Sequence, residues 1–351
     1  MRGRWWLALL AVAGVAAAAG CSTFSYYGQA IGGHLEVMRK AEPIPVRIAD
    51  PATAPELRAK LERVLAIREF ASRELGLPDN GSYRSYADIG RPFVVWNVFA
   101  APELSVEPRQ SCFPVAGCVG YRGYYGQGDA DAFGQTLAKE GFDVFVYGVP
   151  AYSTLGWFDD PVLNTFIRYP DVELARLVFH ELAHQVVYVK GDTTFNESFA
   201  VAVEEEGVRR WTAAHASAAE REAYDASRAR RAEFVRLVLD YRVRAAKLYG
   251  GPLPEEAKRA AKAKLFAELD ADYRALKAKE WGGFAGYDRF FAGMNNAHLA
   301  SVAAYEALVP AFRALLAREG GSLPKFYAAV KELALLPKAE RDAALRALAR
   351  D

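Results

Sequence analysis

Two histidines four residues apart constrain this chain more than any other feature of its sequence. They are His180 and His184, in the segment FHELAHQ at residues 179–185. Pro170 suits the start of a helix and Gly191 suits its end, which predicts one helix of about twenty residues around the pair. One helical turn then places both imidazoles on the same face, where they can share a metal ion.

Glu181 follows the first histidine and completes an HExxH pattern, the signature of the zincins. Its carboxylate would project beside the two imidazoles, where it can act as a general base. We therefore expect one Zn²⁺ ion and hydrolysis of an amide bond, in which Glu181 accepts the proton of the attacking water and passes it to the leaving amine. The alternative is a pair of packed or solvated helix histidines without a metal.

A catalytic zinc ion normally has three protein ligands and one open position, so a third ligand is required. The candidates are Glu197, His215 and His298. We favour Glu197, which lies thirteen residues after His184 in a second predicted helix that can fold back across the first. The alternative is that Thr194 and Glu197 only form a capping box at the start of that helix.

Further residues are candidates for supporting roles. Glu204 lies seven residues beyond Glu197, on about the same helical face, and can hold the free nitrogen of a ligand histidine. The alternative for Glu204 is a solvated position in an acidic run. The oxyanion of the tetrahedral intermediate also needs a hydrogen-bond donor, for which Tyr305, Tyr152 and Tyr188 are available.

The first 21 residues, MRGRWWLALLAVAGVAAAAGC, predict an export signal. An uncharged apolar run follows a basic head, and at fifteen residues it has the length of a signal peptide and is short for a membrane span. The small residues before Cys21 resemble a bacterial lipobox, so we expect cleavage before Cys21 and a lipid anchor on its thiol. Ser22 favours the outer membrane of a Gram-negative bacterium, with the chain in the periplasm. The alternative is an ordinary secretory signal cleaved near the alanines.

Charge and cysteine content exclude two classes of function. Lys plus Arg number 44 and Asp plus Glu number 43, a net charge of +1, which lacks the basic field that nucleic-acid binding needs. The chain has three cysteines, too few for a four-cysteine zinc ribbon. With Cys21 modified by lipid, Cys112 and Cys118 are predicted to form a disulfide outside the cytoplasm.

The hydrophobic pattern predicts an α+β fold that resembles the zincins, with a small N-terminal antiparallel sheet and a mainly helical C-terminal part. The sheet is expected within residues 82–126, and residues 142–147 form a further strand. The predicted helices span residues 25–40, 51–77, 130–141, 170–190, 213–249, 255–279, 297–318, 322–335 and 338–348, of which 213–249 and 255–279 form a hairpin. We divide the chain into a signal peptide at 1–20, a catalytic domain at 21–211 and a helical subdomain at 212–351.

Four segments also carry a family resemblance. They are CFPVAGCVGYRGYYG (112–126), GVPAYSTLGWFDDPVLNTF (148–166), LVFHELAHQVVYVKGDTTFNESFAVAVEEEGVRRW (177–211) and MNNAHL (294–299). In these segments the chain resembles the putative zinc aminopeptidases, a family of Gram-negative envelope proteins that includes many predicted lipoproteins. The resemblance implies a zinc aminopeptidase acting on peptides or proteins, with its functional residues at His180, Glu181, His184 and Glu197.

An aminopeptidase must also bind the α-ammonium group of its substrate. Asp159 and Asp160, before the histidine helix, are candidates, although Asp160 precedes Pro161 and alternatively forms a turn. Residues 112–125 are a candidate edge strand for an extended peptide. Two other functions stay open: an endopeptidase of the same mechanism, and an envelope assembly or chaperone-like lipoprotein with a structural metal. Iron or manganese also suits two histidines and a carboxylate.

Overall fold

Helices make up most of the part of the chain that the structure describes, and three small sheets lie in its first half. The computed structural model describes residues 26–113 and 117–349. Its helices are α1 (26–40), α2 (Ile44–Ala49), α3 (Pro55–Arg73), α4 (Gln127–Lys139), α5 (Asp171–Ala183), α6 (Thr193–His215), α7 (Ala218–Gly250), α8 (Glu255–Lys279), α9 (Asp288–Phe291), α10 (Asn296–Glu306), α11 (Val309–Arg318), α12 (Leu323–Leu335) and α13 (Lys338–Leu348). Its strands are β1 (Glu42–Pro43), β2 (Ser85–Ala87), β3 (Val95–Pro102), β4 (Ser111–Phe113), β5 (Gly117–Val119), β6 (Tyr121–Tyr124), β7 (Phe142–Val149) and β8 (Val162–Leu163). This arrangement confirms the predicted α+β class with its mainly helical C-terminal part.

Strand β3 is the centre of the sheet that supports the site, with β6 and β7 antiparallel on either side. Its side chains alternate between the two faces: Trp96 and Val98 pack with helix α4, whereas Phe99 packs with helix α10. The predicted sheet differs from the observed one in two respects. Strand β7 joins it from outside residues 82–126, and β2 belongs to another sheet, where it runs parallel to β8.

Helices α5 and α6 pack tightly against each other and carry much of the main core. Phe179 and Leu182 of α5 are fully buried, as are Phe199 and Val203 of α6. At Gly207 of α6 an added Cβ would lie 2.7 Å from the ring of Phe179. Glycine therefore allows the close approach that brings the polar faces of the two helices together.

Helix α5 ends at Ala183, well before the stop predicted at Gly191. The amide of Gln185 bonds to a carbonyl three residues back, which tightens the last turn. The side chain of Asn196 then donates to the carbonyl of Val189 and accepts from its amide, at 2.8 and 2.7 Å. These hydrogen bonds satisfy the turn backbone, so the chain can reverse directly into α6.

The predicted hairpin of two long helices is present as α7 and α8, but its first helix begins later than expected. Helix α6 continues to His215, and Ser217 and Glu220 form a capping box that starts α7 at Ala218. Tyr241 of α7 donates to Asp272 of α8 at 2.6 Å. The division of the chain into two domains at residue 211 stays a prediction.

The predicted helix at 297–318 is two helices, α10 and α11. Pro310 lies at the start of α11 and has no amide proton to donate to the carbonyl of Glu306, so a continuous helix is interrupted there. Among the residues the structure describes, this stretch alone is long and apolar enough to cross a membrane. However, 56% of its most apolar window is buried inside the protein, which is typical of a core helix.

A disulfide between Cys112 and Cys118 closes the β4–β5 hairpin, as predicted. Gly117, with φ of 79°, follows the tip of this hairpin. An added Cβ there would lie 2.6 Å from the backbone nitrogen of Gly191. The disulfide hairpin is therefore packed against the turn that joins α5 to α6.

Arg68 of α3 is completely buried and holds the loop after that helix. It donates to the carbonyls of Pro78 and Ser82 at 2.6 and 2.8 Å. Asn80 of the same loop donates to Gln185 at 2.7 Å. Arg68 thereby supports the turn that follows His184.

We expect Arg68→Met to lower the free energy of unfolding by about 3 kcal/mol, because it leaves several buried carbonyl groups without donors. Urea unfolding followed by circular dichroism measures this loss. Arg73→Met is the control, since that side chain lies on the same helix and is 76% exposed. Equal losses in the two variants would contradict the role assigned to Arg68.

Candidate functional site

Helix α5 presents both histidines of the HExxH pattern to one cleft. Its apolar face is buried in the main core, and its opposite face carries His180, Glu181 and His184. His184 is the residue that follows the last helical one, yet its φ of −59° and ψ of −22° are still helical. Both rings therefore stay on the same side, with centroids 4.9 Å apart.

Helix α6 supplies the third member of the group. Its N-cap is Asp192, whose carboxylate accepts from the amide of Phe195 at 3.3 Å. The capping box considered for Thr194 and Glu197 is therefore wrong, because the N-cap is Asp192, two residues before Thr194. The carboxylate of Glu197 is free to turn toward α5.

The side chains of His180, His184 and Glu197 form a group that could hold a metal ion. The two Nε2 atoms are 3.3 Å apart, and Oε2 of Glu197 lies 3.3 Å from His180 and 3.5 Å from His184. With metal–ligand bonds of about 2.0–2.2 Å and tetrahedral angles, ligand atoms should be about 3.3–3.5 Å apart. All three distances fall in this range, so the residues present fit a tetrahedral metal.

Glu204 lies on the same face of α6 as Glu197. It contacts the His180 ring on the side opposite to Glu197. Its Oε2 is 2.8 Å from Nδ1 of His180, and both of its oxygens accept from Arg176 at 3.2 Å. Arg176 also donates to Glu173 at 2.7 Å. This chain of contacts fixes the orientation of the His180 ring and leaves its Nε2 directed toward Glu197 and His184.

The electrostatics of this group favour a cation. Burial by itself raises the pKa of Glu197 and Glu204, but the neighbouring imidazoles and, for Glu204, Arg176 lower both pKa values to about 2. Burial lowers the pKa of His180, yet the two carboxylates raise it to about 10. Two buried anions thus stabilise positive charge between them, which is what a bound metal ion provides.

Glu181 lies in the same cleft, which has a volume of about 690 Å³. Burial raises the pKa of its carboxyl group above the ordinary value, and the charges of His180 and His184 only partly oppose this. A carboxylate with a raised pKa is better suited to take up and release a proton near neutral pH.

Tyrosines form much of the lining of the cleft. The ring of Tyr305 in α10 is 6.5 Å from that of His180, and its hydroxyl is hydrogen-bonded to that of Tyr147. Burial and the Glu197 charge raise the pKa of Tyr305 well above its usual value, so its hydroxyl stays protonated. Tyr152 and Tyr188 also line the cleft, and Nδ1 of His34 is 2.7 Å from the Tyr152 hydroxyl.

The two predicted amine-binding carboxylates are not among the residues that line the cleft. Asp159 is exposed and lies against Gly81. Asp160 is 1% exposed and accepts from the amide of Thr154 at 2.8 Å, so it holds its own loop.

Burial raises the pKa of Asp160 to about 7, and the hydrogen bonds from Thr154 only partly offset it. Since an unfolded Asp titrates near 3.9, the native state retains a proton between about pH 4 and 7 that the unfolded chain has released. The free energy of unfolding should therefore fall as the pH rises through this window.

We expect Asp160→Asn to be more stable than the wild type at pH 8, by at most about 4 kcal/mol, because the variant does not have to bury an ionised carboxylate. Urea unfolding at pH 5 and pH 8 measures the difference. Asp159→Asn, at an exposed position, should keep the wild-type slope. An unchanged slope in Asp160→Asn would contradict the assignment.

The other candidate ligands lie elsewhere. His215 is exposed and stacks on Trp211 at 4.1 Å between ring centroids. His298 is buried against the ring of Phe145 at 3.9 Å, and burial lowers its pKa to about 4. In the described part of the chain the metal-binding group contains neither of them.

The sequence did not lead us to include Arg176 in the site, although its spacing from His180 indicates such a place. Arg176 precedes His180 by four residues, one helical turn, so it had to share the histidine face. Tyr147 was also missed. Its place depends on the strand register that sets it opposite Asn97, which local sequence does not encode.

Comparison of the chain with known protein families supports an enzymatic role for this site. A family model described as putative aminopeptidase matches residues 25–345, nearly the whole chain. No curated protein matches the chain, and no solved structure does. The family description suggests peptidase activity, and the match covers the metal-binding group on α5 and α6. The chain therefore belongs to the putative aminopeptidase family.

Proposed function

We propose that the protein is a zinc-dependent peptidase that acts as an aminopeptidase. One observation carries the proposal: the ligand atoms of His180, His184 and Glu197 have the mutual spacing of a tetrahedral metal site, and Glu181 lies in the same cleft. Family membership supports the choice of a peptide substrate.

We propose zinc rather than iron or manganese, because the HExxH pattern on a helix is the signature of the zincins. Two imidazoles and one carboxylate are a common set for catalytic zinc, and they leave the fourth position open to water and substrate. When bound there, zinc would act as a Lewis acid that activates water and polarises the carbonyl of the scissile bond.

Three residues of the chain would then have separate roles in the reaction. Glu181 takes the proton of the attacking water and delivers it to the leaving amine. Tyr305 is the proposed donor to the developing oxyanion, because it lines the same cleft and its hydroxyl stays protonated. Glu204 holds His180 in the correct orientation.

A peptide could align along strand β6. In the sheet order β6 is an edge strand, paired with β3 on one side, and Tyr121 and Gly123 of this strand line the cleft. An extended substrate can add to such an edge through backbone hydrogen bonds. This supports part of the edge strand proposed for residues 112–125.

We further propose that the protein acts in the periplasm, anchored through lipid on Cys21 to the outer membrane of a Gram-negative bacterium. Cys21 and the leader lie outside the described residues. Their sequence pattern supports this proposal.

Hydrolysis of paired peptides tests the function. We expect the zinc-loaded protein to cleave peptides with a free N-terminus, and to cleave the same peptides at least about 100-fold more slowly when the N-terminus is acetylated, because binding of the α-ammonium group is lost. Release of the first amino acid is measured by mass spectrometry. Equal rates on both peptides, with internal cleavage, would instead identify an endopeptidase.

A further inference from the structure

Four large apolar side chains are exposed near one end of the cleft. Ile31 and Leu35 lie one turn apart on α1, and Trp157 and Phe158 lie in the loop between β7 and β8. Their exposed fractions are 60, 43, 75 and 52%, respectively. The ring of Phe158 is 4.5 Å from that of His34, so the loop packs beside the exposed face of α1. We call these four side chains the apolar rim.

The exposed face of α1 has the character of a helix that lies in a membrane interface. It is uncharged over two turns, through Gly28, Ile31, Gly32 and Leu35, and exposed Arg39 follows it at the end of the helix. Soluble proteins normally expose large apolar side chains singly, whereas interfacial helices combine an apolar face with basic residues at its border. Tryptophan is likewise enriched at the level of lipid headgroups.

The position of α1 in the chain also indicates that its exposed face meets a membrane. The described part of this helix starts at residue 26, five residues after Cys21, where we propose the lipid anchor. Five extended residues span at most about 17 Å. A lipid on Cys21 would therefore hold α1 next to the bilayer.

We propose that the apolar rim docks on the surface of a lipid bilayer, with Trp157 at headgroup depth and Arg39 facing lipid phosphates. Tyr26 and Ala30 of α1 and Leu155 of the loop line the cleft, so docking places this end of the cleft beside the membrane. Peptide segments held at the membrane surface would then have direct access. The docking itself does not depend on the proposed hydrolysis.

Trp157 makes the proposal directly measurable. The other described tryptophans, Trp96, Trp211 and Trp281, are 7, 2 and 6% exposed. The chain from residue 22 onward, which retains all the described residues and cannot carry lipid on Cys21, is mixed with vesicles of phosphatidylethanolamine and phosphatidylglycerol with brominated acyl chains. We expect quenching of Trp157 fluorescence and at least a twofold loss of its quenching by iodide.

Two variants distinguish binding through the apolar rim from non-specific binding of the protein to vesicles. We expect the double variant Ile31→Ser and Leu35→Ser to bind the vesicles about tenfold more weakly, because two apolar side chains no longer contribute burial. Leu335→Ser is the control, since Leu335 is 87% exposed on α12 and is not part of the apolar rim. It should bind as the wild type does.

Two results would overturn the proposal. In the first, the wild type and the double variant bind equally, or vesicles leave Trp157 fully open to iodide. In the second, sedimentation finds a stable dimer in which Trp157 is shielded without vesicles, which would assign the rim to a second copy of the chain. Peptide hydrolysis is measured separately, so its failure with intact vesicle binding would reject only the proposed function.

Discussion

Glu181→Gln is expected to lower kcat for peptide hydrolysis by about 10²–10⁴-fold without loss of the metal. Glu181 lines the cleft but is not a member of the metal-binding group. Glutamine has nearly the same shape as glutamate and cannot accept a proton, so the variant removes the general base alone. Since proton transfer belongs to the chemical step, kcat should fall far more than KM changes.

Steady-state kinetics with equal zinc loading of both proteins measures this effect. Glu205→Gln is a matched control, because Glu205 pairs with Arg313 away from the cleft. A Glu181→Gln variant that keeps more than about a tenth of the activity would remove Glu181 from the mechanism. Inactivity of the wild type and the variant on a broad peptide library would favour the envelope assembly protein with a structural metal.

Much of the site could be predicted because it depends on helical periodicity. A spacing of four residues fixes His180 and His184 on one face of any helix, whatever surrounds it. The same periodicity related Glu204 to Glu197, and the structure places Glu204 against Nδ1 of His180. Predictions of this kind need only the local backbone.

Features that depend on distant residues could not be predicted. The sequence favoured Glu197 as a ligand but could not exclude a capping box with Thr194, and only the position of Asp192 as the N-cap decides against that box. The end of α5 depends on Asn196, which satisfies the backbone of Val189 from the next helix. The tyrosine lining of the cleft depends on how β7 and α10 pack around β3.

His184→Ala is expected to weaken metal binding by more than about 100-fold, because it leaves two of three protein ligands. Metal that binds only the native state stabilises it by about 4 kcal/mol at a concentration 1,000 times its Kd. A chelator should therefore lower the melting temperature of the wild-type protein far more than that of His184→Ala. Calorimetric titration with zinc gives the affinities, and His215→Ala is the control because its imidazole stacks on Trp211 outside the group.

Glu204→Gln should have a metal affinity between those of His184→Ala and His215→Ala, about 10–100-fold below that of the wild type. The glutamine can still contact His180, but it no longer supplies the negative charge. The same change leaves the Arg176 guanidinium with Glu173 as its remaining carboxylate partner, so some loss of stability accompanies it. Urea unfolding of the metal-free proteins isolates that loss from the change in affinity. If His215→Ala weakened zinc binding as much as His184→Ala, or if Glu204→Gln left it unchanged, the metal could not lie between α5 and α6 in the way the geometry requires.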